Sequence, residues 1–146
     1  LETPYKAQGR RTAFLDHARI SNGRHNQAWV RGLMAPNSPK PHRDEACGIY
    51  QQARPGIYDE DLRFYTEEFD AGTLVDDLNR QGRSVVLCTG AYDYSATPTD
   101  AHRIADAVTC CVARTMPDLG HFPMIESPGT FAPYLHDALA NLEERT

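Results

Sequence analysis

From Ser84 to Thr89 the chain is apolar and β-rich and stops at Gly90, the pattern of a short buried strand. Thr97-Pro98-Thr99-Asp100 then reads as a helix start, with a Thr cap, Pro at the first helical position and an acid two residues later. Ala101, Ile104, Ala105 and Val108 recur at i, i+3, i+4 and i+7 and form one apolar helix face. Cys110–Thr115 follows as a second strand. A strand–helix–strand unit of this length predicts parallel strands joined by a right-handed crossover. The loops after two parallel strands leave the same sheet edge, so Asp93 and His121, far apart in sequence, are expected to face each other. A carboxylate beside an imidazole holds the ring's tautomer and stabilises its charged form, as a general base for a nucleophile requires.

Upstream, the periodicity predicts helices over Thr12–Ile20 and Asn26–Met34, split by Ser21-Asn22-Gly23. Ala35–Pro41 is a Pro-rich break, and Arg43–Gln52 is a third helix. Asp59–Asn79 is the strongest amphipathic stretch, with Leu62, Tyr65, Phe69, Leu74, Val75 and Leu78 at helical spacing and a break near Gly72. Downstream, Ser127-Pro128 resembles a helix cap, and Phe131, Leu135, Ala138, Leu139 and Leu142 make the stripe of a closing helix. Pro133 predicts that this helix becomes regular only from that residue onward.

The segments TGAYDYSATP and LGHFPMIESP resemble the acid and His segments of the α/β-hydrolase family, in particular its small capped esterases, lactonases and C–C bond hydrolases. The resemblance covers nearly the whole chain, more loosely in its first half. It implies an α/β fold, the C-terminal half of an α/β-hydrolase sheet with a helical cap. Residues 1–11 would be the end of a core strand and its exit loop, 12–80 the cap, and 81–146 the C-terminal part of the core. It also implies Asp93 as triad acid and His121 as triad base. Glu2 is the alternative acid, because some members of the fold place the acid after an earlier strand. Trp29, Tyr94 and Phe122 are candidate substrate contacts. Trp29, Met34, Tyr58, Phe64, Tyr65 and Phe69 either line an apolar pocket or fill the cap's own core.

The nucleophile is what the chain lacks. In this family the Ser sits in a G-x-S-x-G elbow upstream of both acid and His. None of the five Ser residues (Ser21, Ser38, Ser84, Ser95, Ser127) occupies such a motif, and no HGGG-type oxyanion loop is present. Leu1 is not a translation start, which predicts a processed, trimmed or partial product. The expectation is therefore part of a serine hydrolase for a small, fairly apolar ester, lactone or C–C bond substrate. A second polypeptide or second copy would complete the sheet. The alternative is a non-catalytic remnant or binding subunit of the same fold.

Composition narrows the partners. The chain has 146 residues and a net charge of −5, which leaves no basic footprint for nucleic acid or an anionic membrane. No apolar run approaches the ~20 residues of a membrane span, and four Cys without C-x-x-C spacing suit reduced thiols in the cytoplasm. No cofactor is expected. Nor is a metal, since His17, His25, His42, His102 and His136 do not fall into zinc-helix spacing. Asp118, three residues before His121, competes as the acid but reads rather as a turn-former, and Cys88 reads as a buried hydrophobe within its strand.

Overall fold

The computed structural model describes residues 24–52, 61, 64–69 and 71–144. Glu2, the helix expected over Thr12–Ile20 and Tyr58 lie outside them. Helix α1 spans Arg24–Gly32 and α2 spans Lys40–Gln51, the latter starting within the Pro-rich break because Pro41 sits in its first turn. The two helices pack through Val30, Met34, Ala46 and Cys47, with Trp29, Tyr50, Phe122 and Ile125 against that cluster. Met34 is therefore core rather than pocket lining. The Arg31 guanidinium pairs with Asp44, which also receives Lys40. The Lys40 and Arg31 hydrogen bonds together hold the Asp44 carboxyl at about 2, well below the ordinary carboxylate value.

The long amphipathic stretch is not one helix. Phe64–Glu68 forms a π-helical turn, and α3 runs over Ala71–Gln81. The break expected near Gly72 comes just before Ala71, and Gly72 itself lies inside α3. α3 closes at Gly82, whose φ of +61° is the left-handed conformation a glycine adopts without cost. Gly82 N–H donates to Asn79 O (3.3 Å) and Arg83 N–H to Leu78 O (3.3 Å), the pair of bonds of a Schellman end. The Asn79 side chain reaches across to the next turn, donating to Ala107 O at 3.0 Å and accepting from Thr109 N–H at 2.7 Å.

Strand β1 is Val85–Gly90 and β2 is Cys111–Met116; they are parallel, in register from Val85 opposite Cys111 to Gly90 opposite Met116. Between them α4, Pro98–Ala107, starts as its sequence predicts. Thr97 Oγ1 accepts from Asp100 N–H (3.2 Å) and Asp100 Oδ2 accepts from Thr97 N–H (3.3 Å), a capping box. Ala101 and Val108 are buried on the face that packs on the strands.

The strands are less buried than their apolar runs predict. Each has one hydrogen-bonded neighbour among the described residues, and most of their positions are only half-buried. Cys88 is accordingly half-buried too; desolvation still raises its thiol pKa, against the pull of Arg114. After β2 come the single turn α5, Pro123–Glu126, and the closing helix α6, Pro128–Glu143.

Helix α6 is continuous through Pro133, contrary to the expected late start. The missing N–H forfeits one bond, to Gly129 O, early in the helix. Packing of α6 on β1, with Ala138 buried and Phe131 and Leu142 half-buried, holds the rest. Ser127 does not cap it through its side chain; its hydroxyl lies 2.8 Å from the Thr130 hydroxyl instead. Leu135 and Leu139 of the expected stripe face outward, 41% and 50% exposed. No helix among the described residues is long and apolar enough to cross a membrane.

Candidate active site

Both strands end at the same edge, and backbone bonds close the first turn and tie it to the loop after β2. Ala91 N–H donates to Met116 O (2.9 Å), Tyr92 N–H to Leu119 O (3.1 Å) and Asp93 N–H to Gly90 O (3.1 Å). The loops approach so closely that a Cβ on Gly90 would stand 2.2 Å from Gly120 O and 2.4 Å from Leu119 O. Only a residue without a side chain fits there. Buried Met116 and Leu119 fill the space beneath.

This closure brings Asp93 to His121. Asp93 Oδ2 lies 2.7 Å from His121 Nδ1, while Oδ1 accepts from Ser95 N–H (2.8 Å), Ser95 Oγ (2.8 Å) and Ala96 N–H (3.0 Å). Both oxygens of the buried carboxylate thus have partners. Burial pushes its pKa up, but the bonds from His121, Ala96 and Ser95 outweigh that, and it ends below the ordinary value. The His121 side chain is 33% exposed, and its Nδ1 is taken by Asp93, with Ser95 Oγ 3.1 Å away. A ring fastened through Nδ1–H presents Nε2 as its proton acceptor. Among the described residues Nε2 has no hydrogen-bond partner.

One aromatic ring packs directly on the pair, and others lie behind it. Phe122 meets the His121 ring edge-on, centroids 4.7 Å apart, and meets Tyr50 at 5.4 Å. Tyr94, 51% exposed, lies over Gly32 of α1 and takes a hydrogen bond from the Trp29 indole. Desolvation and the Asp93 charge raise the Tyr94 pKa, and the Trp29 bond works against both. Phe122 thus packs on His121, while Trp29 is linked to Tyr94 and packs against the Val30–Cys47 cluster. Phe64 and Tyr65 are exposed and packed edge-on to each other.

Asp118, the competing acid, is exposed and makes neither a hydrogen bond nor an ion pair with His121. His42 is satisfied by Glu126 O, 2.9 Å from its Nδ1, and His102 and His136 are exposed. Among the described residues no group of three or more His, Cys, Asp or Glu is placed to hold a metal ion.

Sequence reasoning missed Glu126. It is fully buried and ties the His121 loop to the segment after α1. The available signal was an acid in the otherwise apolar run Phe122-Pro123-Met124-Ile125.

No family model and no curated protein matches this sequence. Two solved structures resemble the fold. One is a thermophilic esterase from Thermogutta terrifontis with malate bound, at TM-score 0.72 and 17% identity, covering 97% of this chain and 52% of that one. The other is an N-acyl homoserine lactone degrading enzyme, at TM-score 0.56 and 17% identity, covering 92% of this chain and 51% of that one. The chain thus has an α/β fold, helices with a small parallel sheet, that matches part of the fold of these enzymes, and it spans about half the length of the structures it matches.

Proposed function

We propose that this chain supplies the acid and base of a serine hydrolase, with Asp93 as the acid, His121 as the base and the nucleophilic Ser on a segment outside these 146 residues. The supporting observation is the 2.7 Å contact between Asp93 Oδ2 and His121 Nδ1 at the ends of two parallel strands. In the proposed reaction His121 Nε2 takes the Ser proton as the hydroxyl attacks the substrate carbonyl, while Asp93 holds the Nδ1–H tautomer and stabilises the imidazolium. His121 then gives the proton to the leaving group, and water cleaves the acyl-enzyme by the same route. The oxyanion donors come with the Ser segment.

Trp29, Tyr94 and Phe122 would form an apolar wall with a polar edge at the Tyr94 hydroxyl, which suits a small, fairly apolar ester or lactone. Residues 12–80 are taken as the cap over that wall, and residues 81–146 as the core portion. The half-buried faces of β1 and β2 favour completion of the sheet by a further segment, on a second polypeptide or in a longer form of this chain.

The test is hydrolysis of an activated short-chain ester by the protein isolated with whatever accompanies it, beside the 146-residue chain alone. The proposal expects activity in the native assembly, abolished by His121→Ala, and none in the isolated chain. Activity in the isolated chain that depends on His121 would place the nucleophile within these residues and overturn the partition. An assembly that binds small apolar esters yet never cleaves them would favour a binding subunit, the reading that the missing G-x-S-x-G motif supports.

A further inference from the structure

Glu126 is fully buried, and the side chains or amides it meets are all hydrogen-bond donors. Its Oε2 accepts from Ala35 N–H, Ser38 Oγ and Gly120 N–H, each at 2.9 Å, and its Oε1 accepts from Phe122 N–H at 2.9 Å. Two of these donors are the amides on either side of His121. The amide between them, His121 N–H, donates to Leu33 O at 2.9 Å. Three consecutive amides are therefore directed at acceptors on two residues, Glu126 and Leu33, which meet in one joint between the loop and residues 33–38. That joint has no slack: a Cβ on Gly120 would stand 2.4 Å from Leu33 O and 2.9 Å from both Ala35 N and Glu126 Oε1.

A buried carboxylate with four donors is costly to build and gains little stability over an apolar core of the same volume. What it does achieve is geometry, because a carboxylate accepts on two oxygens at fixed separation. We infer that Glu126 is a positioning residue, which fixes the backbone on both sides of His121 so that the ring meets Asp93 in one orientation, and which makes residues 33–38 part of the active-site frame. This inference rests on the proposed Asp93–His121 pair.

The test is nitrogen and proton NMR of the His121 ring in the purified chain and in Glu126→Gln. In the variant the amide carbonyl can occupy the three-donor position, which leaves an N–H group facing Phe122 N–H, next to His121. The wild type is expected to show one ring tautomer with a hydrogen-bonded Nδ1 proton. The variant is expected to lose that proton signal and the exchange protection of Phe122, while Ala35 stays protected. A folded variant with wild-type ring signals would overturn the positioning role and leave the acid–base reading standing. Absence of the Nδ1 signal in the wild type would overturn both. Should Glu126→Gln not fold, amide exchange of the wild type decides: Ala35, Gly120, His121 and Phe122 are expected to open as one unit, and independent opening contradicts the inference.

Discussion

The edge of the sheet that carries Asp93 and His121 and the body of the sheet beneath it are finished to different degrees. At the edge, the polar atoms of Asp93 and Glu126 that face the loops have partners, two glycines permit backbone contact, and Met116 and Leu119 are fully enclosed. In the body, each strand has a single neighbour among the described residues, and Leu135 and Leu139 of α6 face outward. A buried polar network has to be completed within the chain that builds it, because an unsatisfied donor there costs roughly 1–3 kcal/mol. An apolar face can instead be completed by another segment. On the proposed reading, the acid–base site is made by this chain alone, and the sheet is left to be shared.

The largest expected effect tests the edge. In the active assembly, Asp93→Asn is expected to keep the fold but lower turnover about 10³–10⁴-fold, because the amide no longer favours the Nδ1–H tautomer of His121. Ester-hydrolysis kinetics measure this, and a loss below about tenfold would remove Asp93 from the role of acid.

Next comes a pair of glycines treated alike. Gly120→Ala forces a Cβ to 2.4 Å from Leu33 O and is expected to destabilise the chain by about 3 kcal/mol or more in urea unfolding. Gly48→Ala, in α2 with nothing within 4 Å of the added carbon, is expected to stabilise by up to ~1 kcal/mol. Equal effects at the two sites would mean that the edge is not the tighter region.

The body of the sheet is probed by Leu135→Gln and Leu139→Gln. Each is expected to change the stability of the isolated chain by no more than about 0.5 kcal/mol, as for solvent-facing positions. In the completed assembly, burial of the same leucines would raise the cost to about 1.5–3 kcal/mol. The same small effect in both states would show that α6 does not carry the shared surface.

The smallest effect is the pH dependence. Asp93 is held below its ordinary value near 4, so it contributes stability that is present above that pH and is lost as the pH falls through its lower folded value. Asp44, held at about 2 by Lys40 and Arg31, acts in the same direction. Acid unfolding of Asp93→Asn and Asp44→Asn variants is expected to be less steep below pH ~4 than that of the wild type, with the Asp93 variant alone losing the His121 ring signature.

Much of the edge was legible in the sequence because its signals are local. Thr97-Pro98-Thr99-Asp100 specifies a capping box whatever surrounds it, and a strand–helix–strand run brings the loops of Asp93 and His121 to one edge by topology. Element ends shifted by a residue: β1 and β2 each begin and end one position later than the apolar runs, because pairing rather than composition sets their limits. Glu126 was not legible, since its partners at Ala35 and Ser38 are 91 and 88 residues away. One helix-breaking signal also misled: Pro133 lies inside a continuous helix because tertiary packing outweighs the loss of one bond. The half-burial of β1 and β2 depends on what lies beside them, which apolar composition alone does not report.

The most direct test of the account is native mass spectrometry of the protein isolated from its own source, with fluorophosphonate labelling of reactive serines. The account predicts a species heavier than the 16.3 kDa chain, whose label falls on a Ser in a G-x-S-x-G segment outside these 146 residues and disappears with His121→Ala. A lone, unlabelled 16.3 kDa species, or an assembly of this chain only, would contradict it.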